Sequence, residues 1–152
     1  MRPPLAKFLI GFLAVVLLST PAGAQLPGIS LSAGARYASP SGDFGEVLKP
    51  GYGGYVKAEV GALMLGAAVE TNVTRFGGED GFESLTVLGI QAGPRLGMGL
   101  FKVGLDLGWY SEIEKAGYSP NVSVGLGPLE AGAGATFFSG GRWIYLRAGM
   151  RF

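Results

Sequence analysis

The sequence predicts an all-β protein, an eight-stranded antiparallel up-and-down transmembrane β-barrel. Three observations support this fold class. Large apolar residues alternate with small or charged residues through eight short segments, as in strands that have one apolar face. The connections between these segments are long and short in turn. The charged residues within the segments share a face with glycines rather than with the apolar residues, which makes lipid the expected outer solvent.

The composition limits the possible classes of function. Only 15% of the 152 residues are charged, whereas about 25% is usual for a soluble domain. Cys and His are both absent, which excludes a disulfide scaffold and thiol catalysis and removes the commonest general base and metal ligand. The chain has 12 basic and 11 acidic residues, so it lacks the charge excess that binding to nucleic acid requires. We therefore expect no nucleic-acid partner.

Residues 1–24 are predicted to be a secretory signal peptide. Arg2 and Lys7 make its start basic, residues 8–18 are uncharged and mostly apolar, and Ala22 and Ala24 form a small-residue cleavage site. The apolar run is much shorter than the ~20 residues of a transmembrane helix. We expect Sec-type export, cleavage after Ala24 and one barrel domain over residues 25–152.

The clearest strand pattern lies at residues 101–109. Phe101, Val103, Leu105, Leu107 and Trp109 are apolar, and the residues between them are charged or glycine. The other segments with this alternation are residues 29–37, 55–60, 63–73, 88–93, 121–126, 129–137 and 144–152. Polar connections are predicted at residues 39–50, 77–83, 111–119 and 139–141, and tight turns at 61–62, 97–99 and 127–128. Outer-membrane barrels have this arrangement of long outer loops and short periplasmic turns.

Aromatic residues on the apolar face occur near the strand ends. Tyr37, Tyr52, Trp109 and Phe137 lie at the long-loop ends, and Phe101 and Phe152 lie at the short-turn ends. Two such girdles are typical of the two membrane interfaces. A soluble barrel or sandwich would instead place its apolar residues inside and its charges outside. The pattern therefore favours the membrane barrel.

The chain from residue 29 to residue 152 resembles small eight-stranded bacterial outer-membrane barrels of the OmpA/OmpX type. Its last strand, residues 144–152, is similar to the C-terminal signal that barrel-assembly machinery recognises, with Phe152 as the terminal aromatic residue. The resemblance implies an outer-membrane location, contact with outer-membrane lipid, and the assembly machinery as a partner during biogenesis. It implies no activity. Lipid-modifying barrels of the palmitoyltransferase and deacylase types depend on an essential His, which this chain lacks.

The candidate functional site is a set of ten ionisable residues on the inward, glycine-bearing face. They are Arg36, Lys57, Glu59, Glu70, Arg95, Lys102, Asp106, Glu130, Arg147 and Arg151. The interior of an eight-stranded barrel is just wide enough for its own side chains, and an unpaired buried charge costs several kcal/mol. We expect an ion-pair network that closes the lumen. The alternative is a solute path with a cationic bias, since six of the ten are basic.

No pattern in the sequence indicates a catalytic set, a cofactor site or a metal site. The carboxylates of residues 77–83 do not have the spacing of a known calcium loop. The sequence therefore predicts a non-enzymatic outer-membrane barrel with a plugged lumen and surface-exposed loops, in a structural or surface-interaction role. A narrow pore or transporter for small solutes is the alternative. The sequence does not identify a ligand of the surface loops.

Overall fold

The protein forms a closed antiparallel barrel of eight strands, each paired with its neighbours in sequence, and the last strand paired with the first. The computed structural model describes residues 28–62 and 64–152, so the predicted signal peptide lies outside the described residues. The predicted fold class, an eight-stranded up-and-down barrel, is confirmed. Within the described residues, no helix has the length and apolar character needed to cross a membrane.

The eight strands are 10 to 15 residues long, and one short helix lies between the first two. The elements are β1 (Ile29–Gly42), α1 (Asp43–Val47), β2 (Leu48–Ala62), β3 (Leu65–Gly78), β4 (Leu85–Met98), β5 (Phe101–Tyr110), β6 (Lys115–Leu126), β7 (Leu129–Phe138) and β8 (Gly141–Arg151).

The period-two alternation of the sequence separates the two faces of the barrel wall. In β5, Leu105 and Leu107 are 49% and 70% exposed on the outer face, whereas Asp106 between them is fully buried in the interior. In β8, Ile144 and Leu146 are exposed and Tyr145 is buried. In the middle of these strands, the large aliphatic side chains therefore point outward and the charged side chains point inward.

Two of the predicted loops are wrong in extent. β1 continues to Gly42, the helix spans Asp43–Val47 and β2 begins at Leu48, so all of predicted loop 39–50 belongs to strands and helix. β6 begins at Lys115, inside predicted loop 111–119. The first loop is shorter than predicted because β1 pairs with its neighbour β8. The two strands stay in register through Ser41 and Arg142, although the local sequence has the composition of a loop.

The predicted turns at 61–62 and 97–99 are also displaced. β2 runs to Ala62 and β4 to Met98, so the strands extend into both predicted turns, and the next strands begin at Leu65 and Phe101. The predicted turn at 127–128 is correct. We call the barrel end with these three turns the turn end. The opposite end, with residues 43–47, 79–84, 111–114 and 139–140, is the loop end.

Candidate functional site in the barrel interior

Large side chains face into the barrel interior between glycines. Gly89 and Gly134 show why glycine is needed: an added Cβ would lie 2.6 Å from the ring of Tyr110 in the first case and 2.6 Å from that of Tyr145 in the second. A side chain at these positions would compete with the rings for the same space. Glycines on one strand thus make room for large side chains of neighbouring strands.

All ten predicted site residues point into the interior. Eight are buried, with at most 7% exposure, and the side chains of Lys102 and Arg151 are 29% and 26% exposed near the turn end. The buried eight comprise four cations and four anions, namely Arg36, Lys57, Arg95 and Arg147 with Glu59, Glu70, Asp106 and Glu130. The cationic excess therefore belongs to the two partly exposed residues, and the buried part of the interior is balanced in charge.

The first cluster surrounds Glu70 in β3. Its carboxylate is paired with Arg147 on one oxygen and with Arg36 Nη1, 3.2 Å away, on the other. The amides of Gln91 and Asn72 donate to the same carboxylate over 3.2 and 3.3 Å. A fully buried carboxylate with four donors is well compensated for its loss of hydration.

The second cluster surrounds Asp106 in β5. Arg95 in the adjacent strand β4 donates two hydrogen bonds to its carboxylate, of 2.6 and 2.9 Å. Asn121 of β6 donates a third, of 3.0 Å. The paired geometry of the Arg95 contact makes it a charge-assisted, bidentate interaction, which is among the stronger hydrogen-bonded pairs in proteins.

The third cluster lies nearer the turn end. Lys57 Nζ is 2.6 Å from a carboxylate oxygen of Glu130 and 3.4 Å from one of Glu59. Lys102 pairs with Glu59, and Arg151 Nη2 is 3.7 Å from Glu130. Each carboxylate is thus shared by two cations, and this joins β2, β5, β7 and β8 through side chains.

Neutral polar residues link these clusters, and the predicted site did not include them. Gln91 donates to Glu70 and also, over 3.4 Å, to Asp106. The hydroxyl of Tyr110 donates to the Gln91 side-chain oxygen over 2.7 Å. These residues share the inward parity of the charged set, so the alternation alone could have identified them.

Aromatic and other apolar side chains, here called the aromatic plug, cluster in the interior at the loop end. We give this name to the inward-facing apolar cluster that consists of Ala38, Leu48, Phe76, Val87, Tyr110, Trp143 and Tyr145 together with the partly buried Phe44 and Phe138. Trp143 is at its centre and only 2% exposed. Its ring centroid lies 4.4 Å from that of Phe138, 5.2 Å from that of Phe76 and 5.3 Å from that of Tyr110.

Helix α1 covers one side of this plug. Its Phe44 ring lies 5.6 Å from Phe138 and 6.0 Å from Trp143. Backbone bonds fix both ends of the helix: Asp43 N–H donates to the Gly140 carbonyl over 3.3 Å, and Glu79 N–H donates to that of Val47 over 3.1 Å. The plug and the network are joined by Arg36, whose guanidinium carbon is 3.9 Å from the Tyr145 ring centroid.

The loop end carries most of the charges that are not in the interior. Its acidic residues are Asp43, Glu46, Glu79, Asp80, Glu83, Glu112 and Glu114, and its basic residues are Lys49, Arg75, Lys115 and Arg142. The surface at this end is therefore net acidic. The described residues contain no group of three or more acidic, Cys or His side chains arranged to hold a metal ion.

The fold and this interior define a class of small antiparallel barrels whose inward face carries charged and aromatic side chains. No protein-family model matches the sequence, and no curated protein matches it significantly. Among solved structures, the chain is similar to the crystal structure of Ail, the attachment invasion locus protein of Yersinia pestis. The TM-score is 0.58 and the identity 18%, and the alignment covers 82% of this chain and 99% of that one.

Two further solved structures show the same architecture. One is Ail in complex with the heparin analogue sucrose octasulfate, with a TM-score of 0.53, 19% identity, and 82% of this chain and 97% of that chain covered. The other is Neisserial surface protein A, NspA, with a TM-score of 0.50, 16% identity, and coverage of 82% and 96%. Ail and NspA are small eight-stranded barrels of the OmpA/OmpX type, so the predicted resemblance is confirmed for the fold.

Proposed function

We propose that this protein is a non-enzymatic outer-membrane barrel that fills its own lumen and acts through the surface at its loop end. The observation that carries the proposal is the inversion of polarity across the wall. Asp106 is fully buried in the interior, while its chain neighbours Leu105 and Leu107 are exposed on the outside. A wall that is apolar outside and charged inside suits lipid rather than water as its outer solvent.

Aromatic pairs support this placement in a membrane. Tyr37 and Tyr52 lie 5.2 Å apart near the loop end, and Tyr118 and Phe137 stack with centroids 5.1 Å apart. At the turn end, Phe152 is half exposed. Such rings are enriched at the two interfaces of a bilayer.

The filled interior argues for a role at the surface rather than in transport. Trp143 and its aromatic neighbours occupy the loop end, and the three ion-pair clusters occupy the space below them. A narrow pore would need a continuous polar path past Trp143. The cationic bias that would favour such a path is confined to Lys102 and Arg151, near the turn end.

The names of the similar proteins support a surface role, since Ail is an attachment invasion locus protein and NspA is a surface protein. Ail binds a heparin analogue in one of its structures, and a heparin-like ligand is a polyanion. The net acidic loop end of this chain repels polyanions. We therefore do not extend that ligand class to this protein.

Two measurements test the proposal. An epitope inserted in residues 79–84 should be accessible to antibody on intact cells, whereas the same epitope at residues 99–100 should be accessible only after the outer membrane is permeabilised. Purified folded protein in planar lipid bilayers should give no stable conductance. Stable conductance would favour the pore, and labelling of both insertions on intact cells would contradict the orientation.

A further inference from the structure

Two proline residues, Pro94 and Pro120, lie well inside strands of the barrel wall, whereas Pro40 and Pro50 lie near the loop ends of β1 and β2. Pro94 in β4 and Pro120 in β6 are both exposed on the outer face. Proline has no N–H group to donate, so inside a sheet it removes one hydrogen bond from the ladder. In a closed barrel every strand has a neighbour on both sides, so the missing hydrogen bond cannot be placed at a sheet edge.

The backbone pairing of the sheet is interrupted next to Pro94 and next to Pro120. Between β4 and β5, Ala92 pairs with Leu107 and Arg95 with Gly104, and the two intervening positions on each strand are unpaired. Between β6 and β7, pairing passes from Tyr118 directly to Asn121. In contrast, β5 and β6 are paired without a break over ten residues on each strand, from Phe101 with Val124 to Tyr110 with Lys115.

Side chains in the lumen join the same strands where the backbone ladder is broken. Arg95 and Asp106 connect β4 to β5 through their bidentate contact of 2.6 and 2.9 Å. The hydroxyls of Ser119 and Thr136, 2.8 Å apart, connect β6 to β7. All four residues are at most 3% exposed.

The outer face of the first interruption is loosely packed. A groove of about 390 Å³ lies over it, lined by Leu65, Pro94, Arg95, Leu96, Val103, Gly104 and Leu105. At this point β4 and β5 therefore lack backbone pairing, and the side chains on the outer face leave a groove.

From these observations we propose that the β5–β6 hairpin is a movable panel of the barrel wall, held closed from inside by lumen side chains, with one side-chain latch at each interruption, Arg95–Asp106 and Ser119–Thr136. Opening breaks these side-chain contacts but few backbone bonds at the prolines, so the panel separates from β4 and β7 more readily than other strands separate from each other. The opening leads sideways, toward the surrounding bilayer, and not through the plugged loop end.

Amide hydrogen exchange, measured by NMR on the full folded barrel in detergent micelles, tests the panel. Amides flanking the interruptions in β4–β5 and β6–β7 should exchange faster than those in the unbroken β1–β2 pair. Thr136→Val removes one latch hydroxyl while keeping the side-chain shape, and should speed exchange at the β6–β7 interruption about two- to tenfold, the effect of losing one buried hydrogen bond.

Thr74→Val is the matched control, since Thr74 is an equally buried lumen threonine on β3, a strand in continuous register with β4. It should leave exchange near Pro120 unchanged. Pro120→Ala restores an N–H group and should slow exchange there, opposite in sign to Thr136→Val. If wild-type exchange at both interruptions is as slow as in β1–β2, or if Pro120→Ala speeds it, the panel does not exist.

The absence of Cys allows an independent measurement of the motion. Ala92 and Leu107 are register partners beside the β4–β5 interruption, and Ala58 and Val69 are register partners in the continuous part of the β2–β3 pair, away from its register shift at Lys49 and Gly51. Spin labels on Cys at the first pair should show two distance populations in continuous-wave EPR spectra, and labels at the second pair should show one. A single population at both pairs would overturn the proposal.

Discussion

Arg147 and Glu70 form an ion pair across the barrel interior, and neither side chain has any exposure to solvent. Glu70 also accepts from Arg36, so one carboxylate holds two guanidinium groups that belong to β8 and β1. These two strands are the ones whose pairing closes the barrel. The strength of this contact therefore bears on closure as well as on local packing.

Removing the charge of Glu70 should destabilise the barrel strongly. Glu70→Gln leaves Arg36 and Arg147 with uncompensated buried charge, and breaking a buried pair in this way costs about 3–5 kcal/mol. Urea unfolding followed by tryptophan fluorescence would measure the loss in the free energy of unfolding. Glu83→Gln, at an exposed position near the loop end, is the control and should change stability by less than ~0.5 kcal/mol. Equal stability of both variants would mean that the pairs contribute nothing.

A charge on the outer face should destabilise the folded barrel more the deeper it lies in the bilayer. Leu146→Arg and Leu105→Arg should each destabilise the folded barrel by about 2–4 kcal/mol, as expected near the midplane. Leu129→Arg is the control, because Leu129 is exposed at the first position of β7 at the turn end, where the cost falls to about 0–1 kcal/mol. Folding titrations in phospholipid vesicles measure all three. Equal costs at the three positions would contradict the assignment of a lipid-facing belt.

The two tryptophans should report opposite environments. Trp109 is 51% exposed on the outer face, and Trp143 is 2% exposed in the plug. In a Trp143→Phe variant, fluorescence from Trp109 should be quenched by brominated phospholipids. In a Trp109→Phe variant, fluorescence from Trp143 should resist both brominated lipid and aqueous iodide. Strong iodide quenching of Trp143 would show that water reaches the plug.

Phe152 should matter for assembly in cells through its side chain. The backbone of Phe152 exchanges two hydrogen bonds with Leu31, of 2.7 and 3.2 Å, and a Phe152→Ala variant retains both groups. We expect this variant to be exported normally but to assemble slowly, measured as a smaller heat-modifiable fraction in outer membranes. Phe101→Ala is a suitable control, because Phe101 is a similarly exposed aromatic residue at the turn end. If the two variants assemble equally well, the Phe152 side chain is not part of an assembly signal.

The sequence was sufficient to predict the wall of the barrel but not the lengths of its connections. Alternation assigns Leu105 and Asp106 to opposite faces because the side-chain period of a strand is two. It does not show where a hairpin stops, since Pro40 and Ser41 have loop-forming side chains and yet pair with Trp143 and Arg142 of β8. Their conformation is fixed by a partner about a hundred residues away, which no local pattern reveals.

The interior was predicted only in part, for a similar reason. Arg147 and Tyr145 have the same inward parity, but the expected interior was a charged one, and the aromatic plug around Trp143 was missed. Following the inward parity of β8 to its loop end would have placed Trp143 inside. The partners of each charge could not be predicted from parity, because they depend on the register and shear of strands on different sides of the barrel. Arg36 and Glu70, for example, lie in β1 and β3, with β2 between them.

Closure through Leu31 and Phe152 also has a consequence for how the chain folds. The two residues are near opposite ends of the described sequence, so the contact that completes the barrel has almost the largest sequence separation available to this chain. Folding slows as such distant contacts increase, because loop-closure entropy must be overcome before they form. Until residue 152 has been synthesised, β1 has no β8 to pair with, and both strands keep unpaired edges. Newly made chains therefore need protection from aggregation over the whole interval between synthesis and insertion.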